Sequence, residues 1–124
     1  YRIMSTLSVT VLQNALTRLG EVALQAGLQI EIIAVGGAAL ALGYHARETT
    51  HDIDAVFVKP TVARIARELV ANVADELNLP EDWLNDNAKG YLHGLSNTVV
   101  LFQSQGIIVH RPLTAQLLAM KLAY

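Results

Sequence analysis

Residues 34–57 read AVGGAALALGYHARETTHDIDAVF, and the fold turns on how that stretch divides. Ala34-Val35 ends an apolar run that enters Gly36-Gly37. A short Ala/Leu-rich segment follows, then the polar connector Tyr44–His51, then Asp52-Ile53-Asp54 leading into Ala55-Val56-Phe57. The order is strand, glycine turn, short helix, loop, strand. Paired glycines at a strand-to-helix turn let a ligand approach the backbone, and a helix start offers free N–H groups to an anion. Two aspartates two residues apart on a strand point to one face. Adjacent carboxylates repel unless a cation sits between them, and hard cations such as Mg²⁺ prefer carboxylate oxygen.

This arrangement resembles the nucleotidyltransferase superfamily, which includes the DNA polymerase beta-like enzymes. Their signature is Gly-Gly or Gly-Ser at a helix start, followed after a short interval by Asp-x-Asp on a strand. Here the pair is Gly36-Gly37 and the dyad is Asp52/Asp54. The wording around them, VGGAALAL and then ARETTHDIDAV, looks most like small bacterial members of unknown substrate, several of them linked to toxin–antitoxin loci. The likeness extends through Leu79–Asp86 (LPEDWLND) and Leu117–Ala123 (LLAMKLA). Only Gly-Gly with Asp-x-Asp is tied to a known mechanism.

The resemblance implies an α/β (α+β) domain, a mixed sheet flanked by helices. It implies transfer of a nucleoside monophosphate from a triphosphate to a hydroxyl of RNA, protein or a small molecule. Asp52 and Asp54 would be the catalytic residues and would hold Mg²⁺ or Mn²⁺. Gly36 and Gly37 would cradle the β- and γ-phosphates. The family also places an arginine and threonines just before the dyad, here Arg47 and Thr50, and the resemblance opens a nucleotide-binding role to Lys121 on the last helix. Arg47 would steady phosphate oxygens through its planar fork. Its other reading is a surface arginine paired with Glu48 or Asp52. Lys121 either faces the site or snorkels to solvent. A cognate toxin or antitoxin is the protein partner the resemblance implies.

The sequence departs from the family at one point. Many members add a third carboxylate on a later strand, yet Asn97–Gln103 (NTVVLFQ) and Gly106–His110 (GIIVH) contain neither Asp nor Glu. His110 stands at the strand end where an acid would be sought. Three readings follow: one tightly held metal, a carboxylate from elsewhere such as Asp86 or Glu81, or no catalysis.

Composition sets outer bounds. A chain of 124 residues suits one domain, residues 1–124. Apolar residues make up 52% and charged ones 16%, so a buried core is expected. The net charge of −2 gives no general attraction to nucleic acid or anionic lipid. Without cysteine there are no disulfides or thiolate metal sites, which fits a reducing cytoplasm. No apolar run reaches the ~18 residues of a membrane span, and no signal peptide is evident. The chain begins at Tyr1 and ends at Tyr124 within a helical pattern, so a fragment of a longer protein is expected.

Helical spacing of Val11, Leu12, Ala15, Leu16, Leu19, Val22 and Ala23 predicts a helix over Val11–Ala26, capped by Ser8 or Thr10 and ended by Gly27. Gln29–Val35 reads as a strand, with Glu31 as a solvated charge. Ile53–Val58 is the dyad strand. Pro60 opens a helix whose stripe is Val62, Ile65, Ala66, Leu69, Val70, Val73 and Leu77. In the loop that follows, Trp83 either stacks on a base or anchors the loop to the core. Asn97–Gln103 and Gly106–His110 form a hairpin turning at Ser104-Gln105. Thr114 caps a last helix, Ala115 to Tyr124. His45 and His51 have no partner at zinc-ligand spacing.

Two readings stand beside the enzyme. One is a degenerate module of the same fold that binds nucleotide or a partner without turnover. The other is an α/β interaction domain whose aspartates are a solvated strand end.

Overall fold

The computed structural model describes residues 7–35, 49–50, 52–60, 62–86 and 97–112. In chain order these form β1 (Leu7–Ser8), α1 (Val9–Gln25), β2 (Ile30–Val35), β3 (Thr49–Thr50), β4 (Ile53–Lys59), α2 (Ala63–Leu77), β5 (Leu84–Asn85), β6 (Thr98–Ser104) and β7 (Ile107–Pro112). Five strands make one mixed sheet in the order β5-β4-β2-β7-β6. Strand β2 runs antiparallel to β4 and parallel to β7. Strands β1 and β3 form a separate antiparallel ribbon, Leu7 opposite Thr50 and Ser8 opposite Thr49. This α+β architecture is the expected one.

One face of the sheet is the core. Ile30, Ile32 and Ala34 of β2, Ile53 and Ala55 of β4, and Ile107 and Val109 of β7 pack there with Leu12, Ala15, Leu16, Leu19 and Ala23 of α1 and Ala66, Val70, Val73 and Ala74 of α2. Because strand side chains alternate, Glu31, Ile33, Val35, Asp54, Val56 and His110 lie on the other face. The predicted stripe on the second helix holds at its centre: Val70 and Val73 are buried, and Ile65 and Leu69 are half-buried. Val62 and Leu77, counted in that stripe, are instead exposed at the helix ends. No helix among the described residues is long and apolar enough to cross a membrane.

Local chemistry fixes the helix ends. Ser8 caps α1, its Oγ accepting from the Val11 amide at 3.1 Å. At the other end the Leu28 amide donates to the Ala23 carbonyl at 2.8 Å, and Gly27 takes φ 73°, which a glycine adopts without strain. Helix α2 starts at Ala63 rather than at Pro60, its first turn closed by the Ile65 amide on the Val62 carbonyl at 3.1 Å. Asn78 ends it in the left-handed region at φ 57°.

The α1–sheet contact is a glycine-on-glycine approach. A Cβ at Gly106, where φ is 80°, would fall on the Gly20 carbonyl oxygen, and one at Gly20 would fall on the Gln105 carbonyl oxygen. Gly106→Ala is therefore expected to lose about 2–5 kcal/mol, from left-handed strain of ~1–2 and overpacking of ~1–3. Gly27→Ala, at φ 73° with nothing within 4 Å, should lose only the strain. Urea unfolding of the two variants side by side measures the difference, and equal losses would refute the close-packing account.

The two helices are joined at the surface by Arg18 and Glu76, with Nε 2.6 Å from Oε2 and Nη2 2.9 Å from Oε1. The hydrogen bond from Arg18, helped by its charge and opposed by desolvation, holds the Glu76 carboxyl below its usual 4.5. A carboxyl depressed in the folded state stabilises the fold above its unfolded value, and that gain is lost as pH falls through the folded value. Glu76→Gln should lower the melting temperature at pH 7, and the gap should close in acid below the carboxylate range. A gap of constant size from pH 7 to pH 3 would show that the pair does not contribute.

Candidate active site

Asp52 precedes β4 and Asp54 lies within it, both half-buried, with buried Ile53 between them turned into the core. The Ile53 amide donates to the Trp83 carbonyl at 2.8 Å, which fixes where the dyad strand begins. Residues i and i+2 of a strand share a face, so the two carboxylates stand together on the face opposite α1 and α2. Asp54 is in register with Val35, the residue that leads into Gly36-Gly37. The dyad is thus set beside the strand end from which the glycine pair departs, a spacing of about 5 Å between neighbouring strands.

Strand β5 adds Asn85, a residue in a segment whose sequence predicts a loop. Leu84 pairs with Ile53 and Asn85 with Asp54, in parallel. The Asn85 amide nitrogen donates to Asp52 Oδ2 at 3.2 Å and to the Asp82 carbonyl at 3.4 Å. Two residues are too few for a periodic signal, so β5 is placed by its surroundings. Its anchor is Trp83, whose indole is 0% exposed and donates to the Val70 carbonyl at 3.1 Å. An indole with no exposed surface cannot stack on a base, so the anchoring role is the one it has.

Beside Asn85 a cleft of about 260 Å³ opens between α2 and the turn before β5. Val70, Ala71 and Leu84 form its apolar wall, and Arg67, Glu81, Asp82 and Asp86 its polar rim. Asp86, considered above as a substitute carboxylate, accepts from Arg67 Nη1 at 2.9 Å. Glu81 is exposed on the turn. Neither carboxylate is directed to the dyad by any contact among the described residues.

On the dyad's face of the sheet, Glu31 is not a solvated charge. Its Oε2 lies 2.6 Å from His110 Nε2, and Lys59 Nζ is 4.0 Å from its Oε1. Thr98 Oγ1 lies 3.3 Å from His110 Nδ1. The strand periodicity showed one charge but not its partner, which comes from the other end of the chain. Glu31 precedes Val35 by four residues, roughly 13 Å along the strand, so it cannot share a cation with Asp54.

Of the other expected nucleotide-binding residues, Thr50 lies in the β1–β3 ribbon two positions before Asp52. Gly36, Gly37, Arg47 and Lys121 fall outside the described residues, as does the last predicted helix. Among the described residues no group of three or more His, Asp or Glu converges as a metal cluster. What the site offers is two half-buried carboxylates side by side, hard oxygen donors of the kind Mg²⁺ or Mn²⁺ takes.

No curated protein and no solved structure matches the chain. A family model does match, over residues 12–98, which includes most of α1, the glycine pair, the dyad, α2 and β5. By that match the chain belongs to the family described as nucleotidyltransferase of unknown function (DUF6036).

Proposed function

We propose that the protein is a metal-dependent nucleotidyltransferase that moves a nucleoside monophosphate from a triphosphate to a hydroxyl of an RNA, a protein or a small molecule. The observation that carries this reading is the register of Asp54 with Val35, the residue that precedes Gly36-Gly37 in the sequence. Asp52 and Asp54 would hold Mg²⁺ or Mn²⁺, and the bound cation would supply charge neutralisation at the reacting phosphate. Gly36 and Gly37 would admit the β- and γ-phosphates to the backbone, with Arg47, Thr50 and Lys121 as further nucleotide contacts. In the reaction the acceptor hydroxyl oxygen bonds to the α-phosphorus and gives up its proton to solvent, the bond to the oxygen bridging the α- and β-phosphates breaks, and pyrophosphate leaves. The chain's own contribution is alignment and a fixed electrostatic surround. A cognate toxin or antitoxin as partner and a cytoplasmic setting belong to the same proposal.

The absence of a third carboxylate at the dyad among the described residues favours one rival, a non-catalytic module of the same fold that binds nucleotide or a partner. The test is to incubate the full-length protein with each labelled triphosphate, Mg²⁺ or Mn²⁺, and cell extract. Label transferred to RNA, protein or a small molecule, and lost on removal of the cation, supports the enzyme. Cation-dependent binding without transfer assigns the protein to the rival.

A further inference from the structure

Resting on the dyad reading above, we propose that Asn85 occupies the position of a third carboxylate, orients Asp52, and restricts the site to one divalent cation. Three observations meet here. Asn85 is the residue opposite Asp54 on a parallel neighbouring strand, so its side chain rises from the same face about 5 Å away. Its amide nitrogen, a donor and not a ligand, faces Asp52 Oδ2 at 3.2 Å. The Asp82 carbonyl at 3.4 Å holds that amide in place, on a turn anchored by buried Trp83.

Among the described residues, the rest of the acidic inventory supplies no substitute. The chain has 11 Asp and Glu, and all but Glu48 are among the described residues. Asp86 is taken by Arg67, Glu31 by His110 and Glu76 by Arg18. Glu21, Glu68, Asp75, Glu81 and Asp82 are exposed on α1, α2 and the following turn. Two carboxylates balance one divalent cation. A second cation on the same two groups would leave two positive charges uncompensated in a half-buried site. The hydrogen bond from Asn85 also withdraws one lone pair of Asp52 from metal binding and fixes the carboxylate's orientation, the role that outer partners of metal ligands commonly have.

The test counts Mn²⁺ bound per chain by electron paramagnetic resonance, on the full-length protein without nucleotide. Wild type should bind one ion and Asp54→Asn none. Asn85→Asp, of nearly identical shape, should bind two. Asn85→Ala should still bind one, at least about tenfold more weakly. Two ions in wild type, both lost in Asp54→Asn, would overturn the proposal while leaving the dyad reading intact. So would a single ion in a folded Asn85→Asp, since residue 85 would then lie outside the coordination sphere. If Asn85→Asp fails to fold, unchanged affinity in Asn85→Ala would do the same. No ion in wild type, or a count that Asp54→Asn leaves unchanged, would instead remove the dyad reading itself, and this proposal with it.

Discussion

Trp83→Ala is expected to destabilise the protein by about 3–5 kcal/mol, the range for removing a fully buried large aromatic side chain. The indole is among the largest fully buried groups and packs in the main core cluster. It also donates to the Val70 carbonyl at 3.1 Å, so its loss removes a hydrogen bond as well as volume. The consequence reaches the site, because the backbone of the same residue accepts from Ile53 at 2.8 Å and leads directly into Asn85. A melting temperature lower by roughly 10–20 °C should accompany the change. Trp83→Phe separates the two contributions. It keeps most of the packing and gives up the indole hydrogen bond, so it should lose about 1 kcal/mol beyond its smaller volume. Stability of Trp83→Ala within 1 kcal/mol of wild type would mean that the turn before β5 is not held by this anchor.

The sequence was most legible where local chemistry and a fixed period act together. The caps and apolar spacing of α1 announced it, and Gly27 marked its end. The dyad strand was readable because its period of two puts Asp52 and Asp54 on one face while Ile53 and Ala55 enter the core. The hairpin turn was missed by one residue: it lies at Gln105-Gly106 because glycine is what accepts φ 80° there. What lay beyond reach was pairing across the sheet. Glu31 and His110 are 79 positions apart, and nothing near Glu31 announces an imidazole. Strand β5 has two residues and owes its place to β4 and to the Trp83 anchor. Asn85 therefore looked like loop polarity, although its side chain reaches Asp52.

Asp54→Asn is expected to abolish the response to divalent cation and to reduce transfer by about 10²–10³-fold or more, the scale of losing one preorganised electrostatic stabiliser. The same change should leave metal-free stability unchanged or raise it by on the order of 1 kcal/mol, because two carboxylates on one strand face repel across a partly wet surface. In wild type, Mg²⁺ or Mn²⁺ at 100 times its dissociation constant should add about 2.7 kcal/mol of stability by mass action on the folded state. In the variant that increment should vanish. The pairing of the two results is what carries the meaning. An aspartate kept for an ion pair or a cap stabilises the fold, and its amide variant would melt lower with or without cation. An aspartate kept to bind a cation strains the empty site and is relieved on loading. Thermal melts of both proteins, each with and without cation, give the four values needed. Lower metal-free stability in Asp54→Asn together with an intact cation response would end the active-site reading, because Asp54 would then be holding the strand rather than the metal.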